Sequence, residues 1–308
     1  MKMMNMKWIK KGLIFEPPKN LTWMISHAAV PTADNVVDDL FRIYFSGRDN
    51  QNRAHTGFFD IDIKYPKHIL YVSEKPILRP GKLGTFDDSG SMASWIVTRS
   101  NKKYLYYIGW NLGITVPFCN SIGLAISPSD SGTFTRYSEG PLLGRDQNDP
   151  FFVANPCLII ENEKWRMWYL SCLGWDLEAG RPKHRYVIKY AESTDGIYWE
   201  RNGLTCIGFK SKDEYAISRP CVLKENGVYK MWYSYRGKSY RIGYAESVDG
   251  LNWERKDHEV GIDVSKSGWD SEMIEYPFVF NHNGKKYMLY NGNGYGKTGI
   301  GLAILAKD

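Results

Sequence analysis

The stretch KWRMWYLS at residues 164–171 decides the fold, because it recurs along the chain. It returns as VYKMWYSY at 228–235 and as KKYMLYNG at 285–292, with weaker copies KYLYYIG at 103–109 and FRIYFSG at 41–47. The central apolar residues of the five copies are spaced by 62, 62, 64 and 57 positions. Self-similarity at a nearly fixed period is the sequence signature of a repeat architecture. We therefore divide the chain into five repeats.

A second element follows each copy and predicts the strands inside one repeat. IKYAESTDGIYWE at 188–200 recurs as IGYAESVDGLNWE at 242–254, and its Asp-Gly pair is typical of a tight turn between two strands. A further apolar run precedes each copy, as at 156–160 and 220–223. Short aromatic and β-branched runs separated by Gly, Asn and Asp indicate all-β structure. Each repeat is predicted to be a four-stranded antiparallel meander.

The two ends of the chain predict how the repeats are arranged. The last repeat stops after its third strand, at Leu305, and WIKKGL at 8–13 matches the fourth-strand sequence WERNGL at 199–204. The N-terminal strand is thus expected to complete the last repeat, as in a β-propeller, whose blades number about four to eight. We predict a single five-bladed β-propeller domain over 1–308. A β-sandwich with a small added domain explains neither the period nor the displaced strand.

Composition excludes several classes of protein. The 308 residues are 15% aromatic and 24% charged, which rules out disordered, collagen-like and coiled-coil chains. No run approaches the roughly 20 consecutive apolar residues of a membrane helix, and no apolar leader follows the N-terminus. The five cysteines form no Cys-x-x-Cys pair, so we expect reduced thiols in a cytoplasmic protein without a membrane partner. The net charge of +6 is scattered, and we expect no nucleic-acid partner.

Two sets of loops are expected to face the ligand in such a propeller. They precede the first strand of each repeat or join its second and third strands: 20–28, 84–94, 145–155, 210–219, 266–276, and 46–53, 108–118, 171–185, 234–241, 291–298. These loops combine carboxylates from several repeats with Arg and aromatic side chains. Aromatic faces stack on sugar C–H surfaces, while forked donors and acceptors bind hydroxyls. We predict a carbohydrate or sugar-phosphate ligand.

The repeats and loops resemble those of a known superfamily. The Met-Trp-Tyr and Tyr-Ala-Glu-Ser-x-Asp-Gly-x-x-Trp repeats, with SGRD at 46–49, NP at 155–156 and SRP at 218–220, look like the five-bladed propeller glycosidases. That group includes arabinanases, xylosidases, invertase-like fructosidases and mannoside phosphorylases. The resemblance covers nearly the whole chain at the level of the fold, and its motifs are mainly blade-building ones. It implies a carbohydrate-active enzyme.

The resemblance also implies where catalytic acids lie. In the hydrolases, three acids at the inner ends of different blades act as base or nucleophile, as a pKa-tuning residue and as general acid. The segment SHAAVP at 26–31 offers no Asp where the first blade of such a hydrolase would carry its base. Glu275 and Glu272 remain as candidates for the acid. Asp88 and Asp149 remain as candidates for the base or the orienting residue.

Each of these acids has a structural alternative. Glu275 falls at the start of an innermost strand, where a narrow channel would raise its pKa, but it would equally serve to tie neighbouring blades together. Asp88 lies in the turn sequence Asp-Asp-Ser-Gly, and Asp149 in an Asp-Pro pair that initiates turns. Both aspartates are therefore also candidates for capping their own loops.

Cationic side chains supply the binding candidates. Arg48, Arg219 and Arg236 are expected on the ligand face with His27, and the fork of an Arg binds carboxylate or phosphate through two bonds. With Lys297 nearby, the cations exceed what the acids need, which favours an anionic sugar, a sugar phosphate or inorganic phosphate. The remaining predicted ligand contacts are Asp49, Trp110 and Asn291.

These residues predict a glycoside hydrolase-like protein that cleaves a glycosidic bond in a central channel. Two carboxylates about 5 Å apart would retain the anomeric configuration, and a separation of about 6.5–9.5 Å would invert it. One alternative is a glycoside phosphorylase or glycosyltransferase in which Arg48, Arg219 and His27 converge on one anion site. A second alternative is a non-catalytic sugar-binding propeller. No cofactor is predicted, although the resemblance allows a structural Ca²⁺ ion in the channel.

Overall fold

The protein is built almost entirely from β-strands. The computed structural model describes residues 6–18, 20–128 and 132–306. Within these residues twenty strands form one four-stranded and two eight-stranded sheets, and the helical structure is a single 3₁₀ turn at Asp257–Glu259. No helix in the described part of the chain is long and apolar enough to cross a membrane. The all-β prediction is confirmed.

Antiparallel pairing divides the strands of these three sheets into five groups of four. Group 1 contains β2 (Ser26–Val37), β3 (Leu40–Arg48), β4 (Ala54–Asp62) and β5 (Ile69–Val72). Group 2 contains β6 (Gly90–Arg99), β7 (Lys102–Leu112), β8 (Phe118–Pro128) and β9 (Thr135–Arg136). Group 3 contains β10 (Val153–Glu161), β11 (Lys164–Glu178), β12 (Arg181–Ser193) and β13 (Glu200–Ile207). Group 4 contains β14 (Ala216–Glu225), β15 (Val228–Arg236), β16 (Tyr240–Ser247) and β17 (Glu254–Arg255). Group 5 contains β18 (Glu275–His282), β19 (Lys285–Asn291), β20 (Ile300–Leu305) and β1 (Trp8–Phe15).

Neighbouring strands within each group are antiparallel and follow chain order, except that β1 pairs with β20. One parallel bridge joins Ala54 to Gly90 between groups 1 and 2, and another joins Tyr186 to Ala216 between groups 3 and 4. The hydrogen bonding of the described strands does not run on into a closed ring. The central residues of the five sequence repeats all lie on the second strand of a group and are fully buried: Ile43, Leu105, Met167, Met231 and Met288. The repeat thus builds the core.

A buried aspartate, a tyrosine and a cation form a recurring network at the edge of the core. In groups 2, 3 and 5 the aspartate precedes the first strand, the tyrosine is on the second strand and the cation on the fourth: Asp87–Tyr107–Arg136, Asp149–Tyr169–Arg201 and Asp270–Tyr290–Lys10. Group 4 keeps the tyrosine and the cation but takes its aspartate, Asp257, from after the fourth strand. β1 therefore serves as the fourth strand of group 5 in two respects, because it pairs with β20 and because Lys10 supplies the cation of the network.

Replacing Lys10 with methionine should measurably weaken group 5. The Lys10 Nζ lies 2.7 Å from the buried Asp270 Oδ2, and its removal leaves that carboxylate without its cation. We expect a loss of about 1–3 kcal/mol in the free energy of unfolding, measured by chemical denaturation. Lys11→Met is the matched control, because Lys11 is exposed on the same strand. Equal stability of the two variants would contradict the role assigned to Lys10.

The segment 171–185 is a hairpin and not the predicted loop. The strands β11 and β12 continue to a two-residue turn at Ala179 and Gly180, whose φ angles are +50° and +73°. Two successive residues with positive φ make the turn that suits the twist of a tight hairpin. The extension brings Trp175 opposite His184 in the ladder. Both rings join the aromatic cluster described below.

Candidate functional site

A cavity of about 380 Å³ lies among the first strands and the loops after the second strands. Its volume is within the range of sites that bind small molecules. Among the described residues that line it, Arg48 is the only charged one and none is an acid. The polar and aromatic lining residues are Arg48, Asn52, Trp110, Phe118, Asn120, Phe152, Asn155, Tyr186, Ser218 and Tyr276.

The floor of the cavity is built from an unusual backbone feature. Val30, Asn155, Arg219 and Tyr276 each precede a proline in the first strand of a group, and their φ angles lie between +48° and +56°. A register shift interrupts the strand pairing at each of these positions. Such bulges redirect a side chain, and side chains other than Gly adopt this conformation only under constraint. Three of the four line the cavity, and the fourth is Arg219.

Several polar atoms of the cavity wall are buried without a partner. Trp110 Nε1, Asn155 Oδ1 and Ser218 Oγ have no hydrogen-bond partner within the described part of the chain. Arg48 lies over the Trp110 ring, with its guanidinium carbon 4.9 Å from the ring centroid, and donates to the Asn52 carbonyl at 2.8 Å. Buried polar groups are normally paired, so these atoms are polar groups around the cavity that the described residues leave without a partner.

An aromatic cluster forms the opposite wall. Phe118 and Phe152 pack against Trp175 with ring centroids 5.3 and 5.8 Å apart. His184 stacks on Tyr186 at 4.6 Å and nearly parallel. Burial, together with the charge of Arg236, lowers the pKa of His184 to about 4, so its ring is neutral at neutral pH. Phe118, Phe152 and Tyr186 present aromatic faces to the cavity, which is a surface that a sugar ring fits, and Trp175 and His184 pack behind them.

Glu275 lies directly behind this cavity. It is fully buried as the first residue of β18, opposite Asn291 in the ladder, and neither carboxylate oxygen has a hydrogen-bond partner among the described residues. Burial raises its pKa well above the usual value, and the charge of Arg236 offsets this only in part. The next residue, Tyr276, lines the cavity. Glu275 is thus a buried carboxyl group with a raised pKa, one residue from the wall.

Arg236 is surrounded by tyrosines. Its guanidinium carbon lies 5.3 Å from the ring centroids of Tyr215 and Tyr240, and its Nη1 donates to the Tyr295 hydroxyl at 2.6 Å. The Tyr240 hydroxyl is hydrogen-bonded to that of Tyr186, which lines the cavity. No carboxylate of the described residues forms an ion pair with Arg236. This predicted binding residue therefore supports the wall from behind.

The structure places Asp88 and Glu272 away from the cavity. Burial raises the pKa of Asp88, but hydrogen bonds from Asn111, Gly84 and Ser89 outweigh it and lower the pKa overall. Asp88 thus caps its own loop. Glu272 is exposed, and its backbone binds Asn293 and Arg241.

Asp149 lies in the core network of group 3. It is fully buried and accepts hydrogen bonds from Tyr169 at 2.9 Å, Ser171 at 2.6 Å and Arg201 at 2.9 Å, with Lys189 at 3.2 Å. Its lone pairs are occupied by these four groups. The cavity is not lined by Asp149, and the paired carboxylates expected across the channel are not brought together there.

Arg219 forms a buried crosslink between the first strands. Its Nη1 donates to the carbonyl and hydroxyl oxygens of Ser94, and its Nη2 donates to the Pro31 carbonyl at 2.8 Å and the Thr32 hydroxyl at 3.0 Å. Its guanidinium carbon lies 5.7 Å from the Phe278 ring. Burial lowers its pKa to about 10, so the side chain remains charged at neutral pH. Arg219 thus ties groups 1, 2, 4 and 5 together, and does not join Arg48 and His27 in one anion site.

Two further predicted binding residues shape the backbone around the site. Asp49 accepts hydrogen bonds from Arg53 and His55, at 2.9 and 3.0 Å, instead of pairing with Arg48. Asn291 is fully buried and bonds to the Val30 amide at 2.9 Å and to the carbonyls of Ala28 and Gly299 at 2.7 Å. Both side chains are saturated by the protein. They position the segments that carry Arg48 and His27.

The donor set does not favour a metal ion. No group of three or more His, Cys, Asp and Glu side chains among the described residues is arranged to hold one. The position where the first strands meet is occupied by the Arg219 guanidinium. The residues present therefore do not fit the structural Ca²⁺ ion that the resemblance allows.

The cavity residues that sequence reasoning missed come from the bulges and the hairpin. Phe118, Phe152, Asn155, Ser218 and Tyr276 line the site within loops predicted to face the ligand but were not named as candidates, and Tyr186 lies outside those loops. A usable signal was present, because four of the five first strands carry a residue followed by proline at equivalent positions. Proline lacks an amide hydrogen and is confined to bulges or edges of a sheet.

Comparison with solved structures identifies the class of fold. A "Glycoside hydrolase" matches with a TM-score of 0.76 at 18% identity, covering 98% of this chain and 92% of that one. A thermostable family-43 glycoside hydrolase matches with a TM-score of 0.64 at 16% identity, covering 94% and 92%. A complex of BT0996 with RGII matches with a TM-score of 0.74 at 17% identity, covering 99% and 93%. The protein thus has the fold of the propeller glycoside hydrolases, as the resemblance predicted.

Comparison of sequences identifies the family. Two Mycobacterium tuberculosis proteins, "Uncharacterized protein MT1551" and "Uncharacterized protein Rv1502", are each 47% identical over 300 residues, covering 97% of this chain and 99% of the relative. The chain belongs to the family of these mycobacterial proteins. No family model matches it.

Proposed function

We propose that this protein is a glycosidase-like, carbohydrate-active protein that binds a glycoside in the cavity beside Trp110. The observation that carries the proposal is a cavity that combines polar side-chain atoms of Arg48, Asn52, Asn120 and Asn155 with the aromatic rings of Trp110, Phe118 and Phe152. A sugar ring supplies hydroxyl groups for these atoms and C–H surfaces for the aromatic wall. The fold shared with glycoside hydrolases supports the same class of ligand. One structural neighbour is a complex with RGII.

The proposal includes the arrangement of the five groups as blades of a closed propeller. The fivefold repeat supports it, as does the pairing of β1 with β20. Arg219 adds support, because one side chain from group 4 reaches Pro31 in group 1, Ser94 in group 2 and Phe278 in group 5. Contacts of this kind require first strands that surround a common axis. The cavity then lies at the ligand end of the channel.

Glu275 is the proposed proton donor. A buried carboxyl group that stays protonated at neutral pH can protonate the leaving oxygen of a glycoside as the bond breaks. Burial raises the pKa of Glu275 well above its usual value, and the residue adjoins Tyr276 on the cavity wall. The described lining residues include no carboxylate that could activate water. Hydrolysis would therefore depend on a base supplied from outside the described lining.

A second candidate function follows from the lack of carboxylates among the described residues that line the cavity. In phosphorolysis or glycosyl transfer, phosphate or another acceptor replaces activated water, so no basic carboxylate is required. Arg48 lines the cavity, and His27 is close enough for the charge of Arg48 to lower its pKa. A non-catalytic sugar-binding protein would also have a cavity without carboxylates.

A ligand panel followed by product analysis tests the proposal. Thermal stability of the purified protein is measured against neutral sugars, sugar phosphates, nucleotide sugars and inorganic phosphate, since a ligand at 100 times its Kd adds about 2.7 kcal/mol. The best ligand is then incubated with and without phosphate. Cleavage without phosphate supports hydrolysis, and cleavage only with phosphate supports phosphorolysis. Binding without turnover favours a transferase or a binding protein, and no stabilisation by any carbohydrate overturns the proposal.

Replacing Asn155 with glycine should weaken carbohydrate binding without unfolding the protein. Glycine tolerates the φ of +48° at this position, so the variant removes only the amide side chain. We expect a rise in Kd of about 5- to 10-fold, measured by calorimetry with the best ligand, because one hydrogen bond to the sugar is lost. Asn162→Gly is the matched control, since Asn162 has the same φ in an exposed hairpin turn. Equal affinities of both variants would remove Asn155 from the site.

A further inference from the structure

Three basic side chains lie near one another beside the cavity: Arg48, which lines it, with His27 and Lys297. Ser26 pairs with Arg48 across the ladder of β2 and β3, which sets His27 next to Arg48. The Ala28 amide donates to the Gly296 carbonyl at 2.9 Å and fixes the loop that carries Lys297 against the same segment. Arg48 and Lys297 therefore bring two positive charges from different segments to the neutral His27 ring.

This charge has no counterpart in the protein. Among the described residues no carboxylate lies within ion-pair distance of any of the three side chains, whereas Arg42 and Arg255 elsewhere are paired with acids. The neighbouring Asp49 carboxylate is bound by Arg53 and His55. Arg48 contacts the Asn52 carbonyl and the Trp110 ring, which leaves part of its fork of donors open to the cavity.

The backbone holds His27 in place at an energetic cost. Its φ is +62°, a conformation that residues other than Gly adopt when the surrounding structure enforces it. The enforcement is visible in Asn291, whose side chain bonds to the Ala28 carbonyl and the Val30 amide on either side of the bend. Ser26 Oγ lies 2.9 Å from His27 Nδ1 and orients the ring.

We propose that His27, Arg48 and Lys297 form an anion subsite, which binds a phosphate or carboxylate group next to the carbohydrate cavity. The subsite deepens the proposed function and depends on it in one respect, namely that the anion is carried by a carbohydrate or reacts with one. Arg binds such groups through paired, charge-assisted hydrogen bonds, and Lys adds a point charge. The same chemistry accommodates a sugar phosphate, a uronic acid or free inorganic phosphate.

Anion binding should change the ionisation of His27. In the free protein burial, followed by the charges of Arg48 from β3 and Lys297 from the loop after β19, lowers the pKa of His27 to about 4. An anion between these groups offsets both charges and favours the imidazolium form, so the pKa of His27 rises. His27 therefore reports on the subsite in the unaltered protein.

The first experiment follows the His27 ring by NMR across pH 4 to 8. One sample contains inorganic phosphate and the other contains chloride at equal ionic strength. We expect a rise of at least one pKa unit in phosphate, and equal titration in both samples would overturn the subsite. This measurement requires no variant and is independent of carbohydrate binding.

The second experiment compares ligands and variants by calorimetry. The Arg48→Gln variant should lose at least about 10-fold more affinity for sugar phosphates or uronic acids than for the matching neutral sugars. Lys285→Gln removes the same charge from an exposed site at the far end of β19 and is the control. Tighter binding of sugar phosphates than of phosphate identifies the sugar as the carrier, and phosphate binding alongside a neutral sugar identifies free phosphate. Neutral sugars that bind with no preference for anions refute the subsite and leave the proposed function standing. A phosphate-dependent rise in the His27 pKa without any carbohydrate binding would support the subsite and refute the proposed function.

Discussion

Asp149→Ala is expected to lower the free energy of unfolding by about 3–5 kcal/mol. The side chain is fully buried, and its removal leaves Lys189 without an ion-pair partner and Arg201 with Asp146 alone. It also removes the acceptor for the hydroxyl groups of Tyr169 and Ser171. Urea denaturation at neutral pH measures the loss.

The control for this prediction is Asp176→Ala, which breaks an exposed ion pair with Arg185 on the same sheet. Exposed pairs contribute about 0–1 kcal/mol, so this variant should remain near wild-type stability. A stable Asp149→Ala protein that has lost carbohydrate turnover would show the opposite of our expectation. Asp149 would then be the base or the orienting residue, as one of the hypotheses from the sequence holds.

Glu275→Gln is expected to reduce carbohydrate turnover by about 10²- to 10⁴-fold, the usual contribution of a general acid. Glutamine keeps the size of the side chain but has no acidic proton to deliver. Rates are measured on the ligand that the panel identifies, with Glu272→Gln as the control because Glu272 is exposed nearby. Turnover within a few-fold of wild type would exclude Glu275 as the proton donor.

The Glu275→Gln variant should also differ from wild type in how its free energy of unfolding depends on pH, which can be measured without a substrate. The pKa of a Glu in an unfolded chain is about 4.3, and burial raises that of Glu275 in the folded protein well above its usual value. The stability contributed by the protonated form is therefore complete below about pH 4 and is lost as the pH rises towards the folded-state pKa. Glutamine does not titrate, so the stability of Glu275→Gln relative to wild type should increase with pH, by up to about 1.4 kcal/mol per unit. A difference that stays constant from pH 4 to 8 would contradict the raised pKa.

The sequence predicts the strand framework well because the framework repeats. Met167 and Met231 occupy equivalent buried positions, and each is flanked by the same aromatic residues, so one repeat serves as a template for the next. The N-terminal strand follows in the same way, from the spacing of Trp8 and Gly12. Periodic burial is a local property of the chain and can be recognised in its pattern.

The site is harder to predict because its residues acquire their roles from distant partners. Asp149 follows a turn pattern, yet its environment is set by Lys189 and Arg201, which lie 40 and 52 positions later. Arg219 resembles a ligand-binding arginine until Ser94 and Pro31 are seen to occupy its donors. Glu275 can be recognised because its expected position in a channel depends only on the repeat. A group whose role requires a specific partner cannot be assigned from residue type alone.

The pairing of β1 with β20 has a consequence for how the chain folds. Trp8 lies opposite Leu305 and Phe15 opposite Ile300, so the ladder joins segments separated by almost the full described length. Contacts between such distant segments form late, because closing a long loop costs entropy before any contact repays it. Until β20 is available, β1 has an unpaired edge, and an unpaired edge is a template for association with other chains. Refolding should therefore be most prone to aggregation before this last ladder forms, and an isolated 8–15 peptide added during refolding should compete for β20 and slow the recovery of native protein.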